Sequence, residues 1–181
     1  IDNNDDNIRT IREYFSHNGY NEHVSNSLVS DSDLYMNNNL SVELSNPLSN
    51  DMRFMRNSIL PGLFTAALYN QNRNQEVFKI FEVGAVHHYE NNNVIENINL
   101  GFVCSETSYT HWKDVDEVDI YSIKSEIEKF FKYISIDIDF EDEDRTINIL
   151  YEKTCIGIIS SSRNNKNIHN KQHIYYGELY L

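Results

Sequence analysis

Apolar positions recur at two periods along this chain, and the two periods divide it into helices and strands. In residues 5–20, Ile8, Ile11 and Phe15 fall on one helical face, acidic residues stand at the start, and Gly19 follows as a stop. The run LPGLFTAALYNQNR, residues 60–73, predicts a second helix, with Pro61 suited to its first turn and Leu63, Ala66, Ala67 and Leu68 on its buried face. The clearest helix spans residues 119–134, where Ile123, Ile127, Phe130, Phe131 and Ile134 are apolar and Lys124, Glu126, Glu128 and Lys129 face water.

Strand-like runs fill most of the remainder. EHVSNSLVS places Val24 and Leu28 on one side, and LSVEL is a short strand at residues 40–44. EVFKIFEV and AVHHYE read as two strands, and NINLGFVCS as another. In SIDIDFEDED, Ile136, Ile138 and Phe140 point one way and Asp137, Asp139 and Glu141 the other. TINILYE, CIGIIS and HIYYGELYL close the chain, while NPLSNDM, residues 46–52, is turn chemistry. The sum is an α+β domain, an antiparallel sheet flanked by helices. With 181 residues and no dividing linker, residues 1–181 read as one module. A chain that begins without Met, at IDNNDD, is expected to be a piece of something longer.

Charge changes the picture. The net charge is −13, and affinity for nucleic acid comes mostly from Lys and Arg neutralising phosphates. The densest basic stretch, Arg163, Lys166 and Lys171, is spread among polar residues, so this piece alone is not expected to grip RNA or DNA strongly. Cys104 and Cys155 each sit in an apolar run and are expected to be buried and reduced. No apolar run reaches transmembrane length, so no membrane role is expected and the cytoplasm is the default location.

Candidate chemistry is sparse. His87 and His88 are adjacent in a strand and point to opposite faces, so they cannot share an ion. His169 and His173 have helical spacing but no cysteine at a zinc-ligand spacing, and no metal site is expected. The acidic face Asp137, Asp139, Glu141 reads as a solvated edge that blocks strand-to-strand aggregation. Neither a GxSxG elbow nor a glycine-rich phosphate loop is present. Trp112 reads as a packed anchor ahead of the third helix. Arg56, among apolar neighbours, is expected to be half-buried beside a carboxylate in a structural pair.

Two longer stretches resemble a known family. NPLSNDMRFMRNSILPGLFTAALYNQNR followed by FKIFEVGAVHHYE is similar to the beta subunit of bacterial phenylalanyl-tRNA synthetase, in a Bacteroidetes-like form. VDIYSIKSEIE and the closing NKQHIYYGELYL resemble later segments of the same module. The resemblance implies a class II synthetase-like core that does not catalyse aminoacylation, within an enzyme of two alpha and two beta subunits whose alpha subunit charges tRNA with phenylalanine. It implies ATP and Mg²⁺ in the assembled enzyme and none on this piece, an alpha-subunit partner, and tRNA contact through the holoenzyme. The alternative is a free-standing synthetase-like regulatory or tRNA-binding module.

The resemblance also assigns residues. Gly19, Tyr20, Glu22, Ser25, Asn26 and Leu28 match the first class II motif, which builds subunit interfaces, with Asn26 at its usual proline. Ile8, Ile11, Phe15, Tyr20, Val24 and Leu28 are the implied interface residues. Gly84, Val86 and Glu90 match the second motif, but His87 and His88 stand where Phe and the ATP-binding Arg are usual, a vestigial position. The closing YYGELYL carries no third-motif arginine. Arginine stays charged and grips phosphate bidentately, whereas neutral histidine offers one donor. By analogy with single-donor deletions worth ~3 kcal/mol, such losses leave this piece inactive alone, with no catalytic, cofactor-binding or metal residue. Arg56, Pro61, Gly62, Gly84 and Trp112 are the expected structural residues.

Overall fold

The computed structural model describes residues 4–34, 40–111, 114–143, 146–164 and 172–181. Its elements in chain order are α1 (Asn4–His17), β1 (Asn21–Glu22), β2 (Leu28–Val29), β3 (Phe54–Met55), α2 (Leu60–Asn72), β4 (Lys79–Glu90), β5 (Asn93–Ser105), β6 (Thr107–His111) and β7 (Asp114–Glu117). They continue with α3 (Ile120–Tyr133), β8 (Asp139–Glu143), β9 (Thr146–Tyr151), β10 (Thr154–Ser161) and β11 (Ile174–Tyr180). Seven strands form one sheet in the order β1-β4-β5-β11-β10-β9-β8. All its pairings are antiparallel except β1, which runs parallel to β4. The pairs β2–β3 and β6–β7 are separate small ladders.

The long hairpin β4–β5 carries the centre of the fold. It closes on Asn91 and Asn92, whose φ values of +49° and +65° suit the two-residue turn that matches strand twist. Asparagine tolerates this left-handed region better than most residues. Alternation along the hairpin feeds two cores. On one face, Phe81, Val83, Leu100 and Phe102 meet Ile11 and Phe15 of α1 and Ile123, Ile127, Phe130 and Phe131 of α3. Phe15 is its hub, stacked 5.4 Å from Phe81 and edge-on to Phe130 at 5.3 Å. On the other face, Ile80, Val86, Val103, Ile174 and Tyr176 meet Ile59, Leu60, Leu63 and Ala67 at the start of α2. The sheet is thus sandwiched between α1 with α3 and α2 alone.

Local chemistry sets the helix ends. The Asp119 side chain caps α3 by accepting from Ser122 N at 2.7 Å, and the Ser122 hydroxyl and amide hold its carboxyl below the usual carboxylate range. Pro61 lies in the first turn of α2, where its missing N–H costs nothing.

Several elements differ from their sequence reading. EVFKIFEV and AVHHYE form one unbroken strand, β4, because Gly84 continues the ladder instead of ending it. EHVSNSLVS enters ladders only at its two ends, and LSVEL makes a single bridge, Glu43 to Phe54. In SIDIDFEDED only Asp139–Glu143 is strand, though Ile136, Ile138 and Phe140 still pack together against the core. Cys104 is buried, whereas Cys155 is exposed beside the β10 irregularity at Cys155/Gly157. Lys124 and Glu126 are half-buried instead of facing water. Trp112 and His169 lie outside the described residues. Among those described, no helix is long and apolar enough to cross a membrane.

Because Phe130 is fully buried among Tyr14, Phe15 and Phe131, truncation should leave a large cavity. Phe130→Ala is expected to lower the unfolding free energy by ~3–5 kcal/mol, read from urea denaturation.

Candidate functional site

Buried polar side chains occupy the face of β4 that meets α2. Arg56 follows β3 and is 5% exposed. Its Nη1 donates to Glu82 Oε1 at 2.5 Å and to Ser25 Oγ at 2.8 Å, and its Nε donates to the Ala85 carbonyl at 2.8 Å. Its backbone completes the attachment, since His87 N donates to the Arg56 carbonyl at 2.8 Å and Arg56 N donates to the Ser27 carbonyl at 2.9 Å. One residue therefore does for the free edge of β4 what a neighbouring strand would do, with the guanidinium taking the place of peptide donors.

Space for that guanidinium comes from Gly84. A Cβ there would collide with Nη2 of Arg56, and one at Gly62 would collide with the Ser25 hydroxyl. Glu82 receives a second pair of donors, Ser25 N at 3.1 Å and Ser25 Oγ at 2.7 Å. Both ends of the ion pair are thus hydrogen-bonded, the condition for a buried pair to be tolerated.

A second buried carboxylate lies across the face. Glu178 of β11 accepts from Ser58 Oγ at 2.6 Å, Ile59 N at 3.0 Å and Asn99 Nδ2 at 2.8 Å. The carboxylate therefore sits at the N-terminal end of α2, where free amides favour negative charge. Burial nevertheless pushes its pKa above the ordinary value, opposed by those three hydrogen bonds and by Arg56. On the opposite face, Tyr20 donates to Glu126 at 2.7 Å, and Lys79 pairs with the same carboxylate. Burial raises the Tyr20 hydroxyl well above its ordinary value.

The two histidines are separated by the strand's alternation. His87 is buried, with Nε2 2.9 Å from Glu96 Oε2, and its Nδ1 has no hydrogen-bond partner among the described residues. His88 is half-buried on the other face, and Glu90 is exposed at the strand end. This donor set does not fit a nucleotide phosphate. The guanidinium of this face is neutralised by Glu82, and a second carboxylate, Glu178, lies within reach of its charge. Among the described residues no three His, Cys, Asp or Glu side chains gather to hold a metal.

The implied interface residues part company. Ile11, Phe15 and Tyr20 are buried in the domain's own core, so they are not free to meet another chain. A helical apolar stripe looks alike whether it faces its own sheet or a partner, which is why the sequence could not separate the two. Ile8 and Leu28 are half-buried, and Val24 is 80% exposed. Val24 borders an open groove of about 640 Å³ between residues 23–33 and the outer side of α2, with Asn26, Asp33, Pro61 and Tyr69 on its walls.

Sequence reasoning missed Glu82, Glu178, Ser58 and Asn99. The signal was present in two of them: Glu82 in FKIFEV and Glu178 in YYGELYL are lone carboxylates inside apolar strands. A charge in such a place needs a partner, and Arg56 is the matching anomaly in RFMRNSIL.

Comparison with known proteins follows the geometry. A family model described as "Phenylalanyl tRNA synthetase beta chain CLM domain" matches residues 2–181. A phenylalanine–tRNA ligase beta subunit from Lactobacillus johnsonii is 32% identical over 130 residues, 65% of this chain and 16% of that protein. One from Coxiella burnetii is 28% identical over 156 residues, 79% of this chain and 20% of that protein. The chain therefore spans no more than a fifth of these relatives. A solved pyrrolysyl-tRNA synthetase from Desulfitobacterium hafniense superposes with a TM-score of 0.69 over 96% of this chain and 62% of that one, at 12% identity. That likeness establishes the synthetase core fold.

Two stability predictions follow from the buried charges. Arg56→Met alone strands Glu82 and should cost ~3–5 kcal/mol, whereas Arg56→Met with Glu82→Gln should cost much less, read by denaturation of both variants. The raised Glu178 pKa has an opposite sign from the usual carboxylate. Its contribution is full below the ordinary value of 4.5 and is lost as pH rises through the higher folded value. The wild type should gain stability relative to Glu178→Gln as the pH is lowered from 8 towards 4.5. A difference independent of pH would contradict the assignment.

Proposed function

This chain belongs to the phenylalanyl-tRNA synthetase beta-chain family, and on that premise we propose that it is a non-catalytic assembly module. It keeps a synthetase-shaped sheet, binds no nucleotide of its own, and docks on the alpha subunit of a phenylalanine–tRNA ligase. The observation that carries this reading is the buried Arg56–Glu82 pair, and the resemblance of the β4 segment, with His87 and His88 where Phe and an ATP-binding Arg are usual, supports it. Activation of an amino acid builds charge on a phosphate, and catalysis needs fixed cations aimed at it. Here the buried cation already has its counter-ion, and a second carboxylate would repel the phosphate.

In this reading the assembled enzyme is a heterotetramer of two alpha and two beta subunits, and ATP and Mg²⁺ act at the alpha subunit. The tRNA is held by the holoenzyme and not mainly by this module, whose net charge of −13 disfavours direct contact with RNA. The cytoplasm is the expected location. The proposed contact residues are Ile8 on α1, and Val24 and Leu28 on the wall of the groove beside α2. The outer side of α1 is polar: Arg9 pairs with Asp6 and Glu13, and Arg12 with Glu22. Exposed apolar surface bordered by such polar groups is the usual anatomy of an interface.

Calorimetry on the beta subunit without its partner is expected to show no heat of ATP–Mg²⁺ binding, and mixing with the alpha subunit at micromolar concentration should raise the scattering mass. Pyrophosphate exchange into ATP by the beta subunit alone, in the presence of phenylalanine, would overturn the proposal.

A further inference from the structure

Residues 23–29 present a problem of order. His23 N donates to the Phe81 carbonyl at 2.7 Å, and beyond it the chain leaves the ladder until Leu28 and Val29 pair with Met55 and Phe54. Between those anchors Val24 is 80% exposed and Asn26 is exposed. A segment with so little buried apolar surface would ordinarily sample many conformations. Its midpoint is nevertheless fixed. Ser25 gives both its amide and its hydroxyl to Glu82, and the same hydroxyl accepts from Arg56. Arg56 N also holds the Ser27 carbonyl, while the Arg56 carbonyl and Nε hold β4 at His87 and Ala85. Arg56 and Glu82 thus tie residues 25–27 to the sheet.

We infer that Arg56, Glu82 and Ser25 form a buried latch that preorganises residues 23–29 for docking of the companion chain, so that these three act as positioning residues and touch no partner themselves. The inference rests on the docking reading given above. Its physical content is that ordering a loop before association removes that ordering from the cost of binding. The latch is polar and buried, and the segment it holds presents Val24 between exposed polar residues, Asn26 among them. Burial of the pair keeps water and salt from competing with it, so the loop should stay ordered at ionic strengths that dissolve surface ion pairs. Gly84 belongs to the same device, since only a residue without a Cβ leaves the guanidinium its place.

The test uses the intact beta subunit, alone and with alpha, in three variants. Ser25→Ala removes the two bonds of the hydroxyl, to Glu82 and from Arg56, and leaves the ion pair and the loop's backbone bonds in place. Arg56→Met with Glu82→Gln removes both charges without stranding either. Val24→Ala trims the exposed side chain and leaves the latch whole. Hydrogen exchange of the amides at 25–28 should speed about tenfold or more in the first two variants and stay unchanged in Val24→Ala, with β5 amides protected throughout. Affinity for alpha should fall about tenfold in Ser25→Ala and weaken in Val24→Ala as well. Unchanged exchange in both latch variants would overturn the latch. Faster exchange with full affinity in Ser25→Ala, while Val24→Ala weakens binding, would overturn its role in docking. Full affinity in Val24→Ala would instead overturn the docking surface itself. Should the double variant fail to fold, Ser25→Ala decides the matter alone.

Discussion

The ion pair between Arg56 and Glu82 is the constraint from which the rest of this domain can be read. A guanidinium taken out of water is destabilising unless its donors are met. Here they are met by a carboxylate, a hydroxyl and a peptide carbonyl at once. Meeting them fixes where β4 ends its free edge, where the chain after β1 runs, and which residues at 62 and 84 leave room. The apolar cores on either side supply the bulk of the stabilisation, but apolar burial is non-directional. The register of the β1–β2 segment against the sheet comes from the directional part.

The two faces of the sheet divide the work. Against α1 and α3 the sheet is nearly all aromatic and aliphatic, an interior that gives the domain its stability. Against α2 it carries Glu82, Asn99, Glu178 and Ser105 among the apolar residues, all buried. In this chain the polar groups point at one another. Glu82 meets Arg56 and Ser25, Glu178 meets Ser58, Ile59 and Asn99, and the polar face becomes part of the protein's interior.

The sequence disclosed the three helices and most of the central strands, because their apolar periods are long and unbroken. Helix α3 is the plainest case: Ile123, Ile127, Phe130 and Phe131 are all buried. Short ladders were not legible. Two-residue strands such as β1 and β2 have no period to detect, and their place is set by bonds to residues far along the chain. The site was half legible. Arg56 stood out as a charge among apolar residues, and Glu82 carried the same mark from the other side of the pair. Nothing local linked them, since 26 positions separate the two and the fold brings them together. Ile11, Phe15 and Tyr20 show the converse limit. Their spacing announced an apolar stripe without saying what it would face.

The turn at Asn91 and Asn92 bears on what this domain could become. Two residues join a hairpin whose strands stay paired to the last position, Glu90 with Asn93. A ribbon closed so tightly has no slack with which to curl over a bound molecule. An arginine placed at His88 would rise on the same side as Glu82, whose charge Arg56 already meets. The bonds that fix this face of the domain are the same ones that occupy the polar groups Arg56, Glu82 and Glu178.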